Sequence, residues 1–122
     1  MRAVPLNTRK PLVNTPPVQQ PDFDIATVAR ETELWIDVSG DADFTNHRRL
    51  HEMLAQINVN GAESVHFDLS GLTFCDVFAF RQLLKFGTQI QAQGPTVYMH
   101  GATSPIMQMA WFLKATDEIK FV

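Results

Sequence analysis

The chain has 122 residues, of which 45% are hydrophobic and 19% charged, and this composition suits one globular domain that buries its own core. No apolar run approaches the roughly 20 residues of a membrane-spanning helix, and a single cysteine excludes an internal disulfide. Residues 23–122 hold seven basic and twelve acidic residues, so their net charge of −5 disfavours binding to a nucleic-acid backbone.

The first 21 residues are rich in proline. Five of the seven prolines lie here, among polar residues and with no apolar period. Such a segment buries too little apolar surface to offset the entropy lost on ordering, so we predict a disordered or extended arm over 1–21 and a domain over 22–122. The arm also lacks an apolar stretch followed by a small-residue cleavage site, so we expect a cytoplasmic protein.

Alternating hydrophobic residues predict an antiparallel hairpin at the start of the domain. The two strands are FDIATVA and LWIDVS, which are joined by a short polar turn. A loop over GDADFTN follows, and Thr45 or Asn46 is predicted to cap a first helix that runs to about Asn58. The apolar spacing of that helix predicts one buried stripe, made of Leu50, Met53, Leu54 and Ile57.

The rest of the domain alternates strands and helices. Ser64–Leu69 predicts a third strand, followed by a Ser-Gly loop, and a second helix covers about Val77 to Gln93. TVYMH predicts a fourth strand, Ile106 to about Ala115 a third helix, and EIKFV a last strand. The order ββαβαβαβ with right-handed crossovers predicts an α/β fold, in which a mixed sheet of about five strands packs against three or four helices.

Two histidines and one cysteine are the first candidates for chemistry. His47 and His51 stand four residues apart on the first helix, as a metal-binding pair would. A zinc site needs three or four ligands, and no further ligand is tied to this pair, so we interpret them as exposed residues and expect no metal or cofactor. Cys75 lies among apolar residues with no nearby cation, which favours a buried small hydrophobe over a nucleophile.

Neither the loop after the fourth strand nor the aspartates complete a catalytic motif. HGATSP could seat an anion at the start of the third helix, but it has one glycine and no P-loop lysine. Chain turning and helix capping explain it more simply, and a small ligand near 101–104 stays open. Five carboxylates near strand ends have no partner base or nucleophile at a diagnostic spacing, and we predict a protein that is not an enzyme. They are Asp37, Asp41, Asp43, Asp68 and Asp76.

Three segments together resemble the STAS domain family, which includes bacterial anti-sigma-factor antagonists. They are VSGDADFTNHRRL, VHFDLSGLTFCD and QAQGPTVYMHGATSP, and the likeness extends over roughly Phe23 to Val122. Gly40 and Asp43 of the first loop, the segment Asp68–Leu72 and the turn at Gly94 are all in register with the family pattern. The fold that the resemblance implies matches the predicted order of elements.

The resemblance also implies a phosphorylation switch. In typical members, the aspartate that matches Asp76 precedes two hydroxyl residues and a glycine, and a kinase-like anti-sigma factor phosphorylates the first hydroxyl and is thereby released. Here Val77 and Phe78 replace the two hydroxyl residues, and Val77 cannot accept a phosphoryl group. Ser70 and Thr73 lie nearby but off the matched position, so the chain is expected to lack this control.

Two apolar segments exceed what one core can cover. A helical wheel places Phe78 opposite the predicted buried stripe of the second helix, so it is either a partner anchor, which we favour, or covered by the preceding loop through Phe44. The third helix is apolar at nearly every position, so part of it faces solvent, a partner or a second copy. The side chains concerned are Met107, Met109, Trp111 and Phe112.

The resemblance therefore implies a protein-binding module. Such a module would dock on an anti-sigma factor or another signalling protein without serine phosphorylation control. The expected contact residues are Asp43, Phe44, Asp76, Val77 and Phe78. The alternative is a STAS scaffold subunit of a lipid-transport or signalling assembly, in which the apolar segments are permanently covered. A homodimer is compatible with either function, whereas nucleic-acid binding and membrane insertion are not expected.

Overall fold

The computed structural model describes residues 23–122, and the predicted arm lies outside them. Each strand and helix predicted within this range is present. The elements are β1 (Asp24–Arg30), β2 (Glu33–Ala42), a 3₁₀ turn (Phe44–Asn46), α1 (His47–Ala55), β3 (Ser64–Cys75), α2 (Val77–Gln91), β4 (Thr96–His100), α3 (Ser104–Phe112), a second 3₁₀ turn (Ala115–Asp117) and β5 (Lys120–Phe121).

The five strands form one sheet in the order β1-β2-β3-β4-β5. β1 pairs antiparallel with β2, and the other three pairs are parallel. Each parallel connection passes through a helix and steps to the next strand in the same direction, so right-handed crossovers place α1, α2 and α3 on one face. The predicted fold class, an α/β fold with a mixed sheet of about five strands and three or four helices, is confirmed, and the structure has five strands and three helices.

The core lies between the sheet and the three helices. β3 contributes Val65, Phe67 and Leu69 from alternate positions, as period-two patterning requires, and all three are fully buried. Phe80 and Leu83 of α2 cover them from the helical side and are also inaccessible to solvent. Every second residue of the central strands therefore points away from the helices, toward the opposite face of the sheet.

The first helix begins directly after Asn46, one of the two predicted cap positions, but the Asn46 side chain makes no cap hydrogen bond, and the predicted end of the helix is wrong. The carboxylate of Asp43 instead accepts a backbone N–H at the start of the preceding 3₁₀ turn. α1 then ends at Ala55 instead of Asn58. Its buried stripe narrows accordingly to Leu50 and Leu54, with Met53 and Ile57 packed at the margin.

The predicted loop after Leu69 is also wrong, because β3 continues to Cys75. The strand goes on pairing with β2 across two register irregularities, and Gly71 lies so close to β2 that an added Cβ would be 2.9 Å from the Cβ of Ser39. Other ends also differ from the prediction: β2 continues to Ala42, into the predicted loop GDADFTN, and α2 stops at Gln91. α3 covers Ser104–Phe112, and the last strand is shorter than EIKFV.

Candidate partner-binding surface

Asp76 joins two segments of the chain at the end of β3. Its Oδ1 accepts the backbone N–H of Ala79 at 2.9 Å and so caps α2, while Oδ2 accepts the backbone N–H of Phe44 at 2.9 Å. The N–H of Asp76 donates to the carbonyl of Ala42 at 3.0 Å. Because a carboxylate is a strong acceptor at a helix N-terminus, this side chain holds the start of α2 and the first 3₁₀ turn as one unit.

Asp43 fixes the backbone of the 3₁₀ turn from the other side. Its carboxylate accepts the N–H of Thr45 at 2.9 Å and also the Thr45 hydroxyl, and its own N–H donates to Oδ1 of Asn46 at 3.0 Å. This is a capping box, and Asn46 further donates to the carbonyl of Asp41 at 3.0 Å. The hydroxyl and backbone donors hold the pKa of the Asp43 carboxyl below its usual value.

Two phenylalanines project from this fixed backbone into solvent. Phe44 is 61% exposed and Phe78 is 60% exposed, and their rings meet edge to face with centroids 6.4 Å apart. Phe78 is thus exposed and in contact with Phe44 at the same time, so the two alternatives for it were not exclusive. We call Asp43, Phe44, Asp76, Val77 and Phe78, which the structure brings together, the turn surface.

The turn surface carries no hydroxyl at position 77, where the resemblance implies a phosphorylation site. Val77 occupies it as the first residue of α2. The nearby hydroxyls are engaged: Ser70 Oγ donates to Asp68 at 2.7 Å, and the Thr73 hydroxyl donates to the carboxylate of Asp41. The Ser70 bonds lower the pKa of the Asp68 carboxyl.

Cys75 is a poor nucleophile. Burial raises the pKa of its thiol to about 12, and the neighbouring Asp76 carboxylate adds to the rise. A thiol needs to ionise in order to attack, so its partly buried position supports the small-hydrophobe interpretation.

The two histidines of α1 are exposed, and the Nδ1 atom of His47 lies 2.8 Å from the carbonyl oxygen of Phe44. Across residues 23–122, no group of three or more histidine, cysteine, aspartate or glutamate side chains is arranged to hold a metal ion. The loop before α3 turns at Gly101, whose φ is +70°, and Thr103 makes no side-chain cap bond. These features of the loop before α3 are those of a chain turn.

A second apolar surface lies on α3. Ile106 and Ala110 are buried against the sheet, whereas Trp111 is 64% and Phe112 is 86% exposed. The prediction that part of this helix faces outward is confirmed. None of the helices in the described part of the chain is long and apolar enough to cross a bilayer.

Comparisons with known proteins agree on the fold. The family model described as "Mlab, STAS domain" matches residues 25–116, whereas a search of curated protein sequences finds no significant match. An anti-sigma factor antagonist from Mycobacterium paratuberculosis has a TM-score of 0.67 at 13% identity, covering 85% of this chain and 89% of that one. The phosphorylated form of the Bacillus cell fate determinant SpoIIAA has a TM-score of 0.61 at 11% identity, covering 83% and 91%. The STAS domain of a SulP transporter from Vibrio cholerae has a TM-score of 0.53 at 16% identity, covering 79% and 77%.

Proposed function

Because the chain belongs to the STAS domain family, we propose that it is a non-enzymatic protein-binding module that docks on an anti-sigma factor through the turn surface. The observation that carries this proposal is the exposed pair of Phe44 and Phe78. Aromatic side chains in water at a fixed position are typical binding anchors, since each buries about 150–250 Å² of surface when covered. Similar solved structures include an anti-sigma factor antagonist, which favours this class of partner.

The hydrogen bonds beneath the pair favour tight binding. Asp76 ties the backbone of Phe44 to the first turn of α2, and Asp43 fixes the turn that carries Phe44. The two rings are therefore already positioned before a partner arrives. Ordering costs on association are reduced when a surface is preorganised, so more of the apolar burial contributes to affinity.

We further propose that binding is not switched by phosphorylation at the family's position. A phosphate placed beside Asp76 would bring about −1.5 to −2 charges next to a carboxylate and weaken an apolar contact. Val77 has no oxygen to carry that phosphate. The complex is therefore expected to persist whether or not ATP is present.

The first experiment measures the affinity of the full chain for a kinase-like anti-sigma factor from the same organism by titration calorimetry. Phe78→Ser should weaken binding by about 2 kcal/mol, or roughly 30-fold, because it removes an anchor. Its stability should change by no more than about 0.5 kcal/mol, since the ring is exposed. Phe112→Ser is the matched control and should bind like the wild type. Equal losses in both variants, or none in Phe78→Ser, would overturn the proposal.

The second experiment tests the missing switch. The wild-type complex is incubated with Mg-ATP and examined by native mass spectrometry, next to the complex of Val77→Ser. The variant restores a hydroxyl at the start of α2 and should gain one phosphoryl group and dissociate, while the wild type stays bound. A phosphorylated wild-type chain would contradict the proposal and direct attention to Ser70 and Thr73.

The alternative function is a scaffold subunit of a lipid-transport or signalling assembly. Exposed Trp111 and Phe112 on α3 and the similarity to a transporter STAS domain favour it. A scaffold whose aromatic faces are permanently covered should self-associate when purified alone, and Phe112→Ser should reduce that tendency. A monomer at high concentration, measured by analytical ultracentrifugation, would count against this alternative.

A further inference from the structure

The face of the sheet opposite the helices has no covering layer in the described part of the chain. All three helices lie on the other side, because the crossovers from β2 to β5 step in one direction. Sheets built mainly from parallel strands usually have both faces covered. We call this side the open face.

A row of aromatic rings crosses the open face. Trp35, His66 and Tyr98 occupy directly paired positions on β2, β3 and β4. The rings of Trp35 and His66 are stacked at 4.5 Å and 11°, and those of His66 and Tyr98 at 4.8 Å and 7°. These separations equal the spacing of adjacent strands, so the three rings form one continuous stack, which we call the ring row.

Polar contacts hold the ring row in place. The indole N–H of Trp35 donates to Glu33 at 3.0 Å, and the ammonium of Lys120 lies 5.7 Å from the centre of the Tyr98 ring. Nδ1 of His66 lies 2.9 Å from Nε2 of His100, and its other nitrogen lies 2.9 Å from the hydroxyl of Ser64. His66 is only 9% exposed, whereas Trp35 and Tyr98 keep part of their surface open. The outer edge of the row is thus an ordered apolar surface.

The open face is acidic around the ring row. Strand alternation and register place five acids and two bases on this side, a net charge of −3 with neutral histidines. They are Asp24, Glu33, Asp37, Asp41, Asp68, Arg30 and Lys120. Two copies of such a face would repel each other, so the suitable occupant carries positive charge together with apolar side chains.

The segment 1–21 of the same chain has this chemistry. Its charged residues are Arg2, Arg9 and Lys10, a net charge of +3, and they flank the apolar stretches Val4–Leu6 and Pro11–Val13. Proline-rich segments bind aromatic surfaces at low entropic cost. The segment joins the domain next to β1, an edge strand of the sheet. Twenty-one residues reach up to about 70 Å when extended, while five strands span only about 20 Å.

We propose that residues 1–21 cover the open face, with their apolar and cationic side chains lying along the ring row. The covalent link gives the segment a high effective concentration at the face, so weak contacts suffice to hold it. This cover is independent of the partner at the turn surface, which lies at the end of the sheet where β3 meets α2.

The test uses the full chain with Cys75→Ser and a nitroxide attached at Val13→Cys. The two indole N–H signals in a ¹⁵N spectrum report on opposite sides of the molecule, since Trp35 lies on the open face and Trp111 on α3. The spin label should broaden the Trp35 signal severalfold more than the Trp111 signal. Equal broadening of both, or none at Trp35, would overturn the proposal.

Charge reversal in the segment provides the matched control. Arg9→Glu with Lys10→Glu keeps the length and the prolines, and it should bring the broadening of the Trp35 signal down to that of Trp111.

Mixing spin-labelled ¹⁴N chain with unlabelled ¹⁵N chain separates intrachain contact from contact with a second copy. Broadening of the Trp35 signal in that mixture would refute intrachain cover. If Cys75→Ser does not fold, the chemical shift of the Trp35 indole in the otherwise native chain must change on charge reversal, and an unchanged shift would refute the proposal.

Discussion

Phe44 and Phe78 on the turn surface meet edge to face at 6.4 Å and are about 60% exposed, whereas the rings of Trp35, His66 and Tyr98 are stacked at 4.5–4.8 Å. On the turn surface, backbone hydrogen bonds to Asp43 and Asp76 hold the rings in position. In the ring row, the rings are held by stacking on one another and by polar contacts between side chains. Replacing a ring should therefore leave its neighbours undisturbed on the turn surface and should loosen them in the ring row.

The largest effect on stability is expected in the ring row. Trp35→Ala removes a partly buried indole and its stacking on His66, which should lower the free energy of unfolding by about 2 kcal/mol. Trp111→Ala, on the exposed part of α3, should change it by no more than about 0.5 kcal/mol. Chemical denaturation of both variants measures the difference. Similar values would contradict the larger contribution expected from the ring row.

A smaller effect is expected where side chains hold the backbone of the turn surface. Asp76→Ala removes the α2 cap and leaves the N–H of Phe44 without its acceptor, so it should cost about 1.5 kcal/mol of stability. Asp76→Asn keeps one oxygen acceptor and should lose less. Denaturant titration of the two variants, together with their partner affinities, checks the order. An unchanged stability in Asp76→Ala would show that the rings do not depend on this carboxylate.

The smallest of these effects depends on pH and comes from His66. Burial lowers its pKa, the Glu33 carboxylate opposes the change, and His100 adds to it. The folded-state pKa of His66 lies below the unfolded value of about 6.5. The contribution of neutral His66 to the free energy of unfolding is therefore complete above a pH of about 6.5, and it is lost as pH falls through the folded-state pKa. His66→Phe keeps a ring between Trp35 and Tyr98 but does not titrate, so it should flatten the dependence of unfolding free energy on pH. An equal slope in both proteins would contradict this.

The fold was predictable because its periodic signals are local. Alternation in β1 and β2 and the helical spacing before Gly94 each act within a few residues. The continuation of β3 through Ser70 and Gly71 was missed because it depends on pairing with β2 at Ser39, more than thirty residues away. The cap at Asp43 did have a local signal, since an aspartate three residues before Asn46 fits a capping box.

The two aromatic surfaces also differ in whether a local sequence signal reveals them. Exposure of Phe78 followed from a helical wheel, which needs only one helix. The ring row could not be found by that route, because Trp35, His66 and Tyr98 come together only through the register of three strands. The second role of Asp76, its bond to the N–H of Phe44, also requires knowledge of the tertiary structure.

The bond from Asp76 to Phe44 spans 32 residues of sequence. Closing a loop of that length costs chain entropy, so we expect this bond to form after the intervening helix and the pairing of β2 with β3 bring the two ends together. The two phenylalanines are then expected to become neighbours late in folding. A partner that binds both rings thus recognises a completed domain and leaves a nascent or partly unfolded chain unbound.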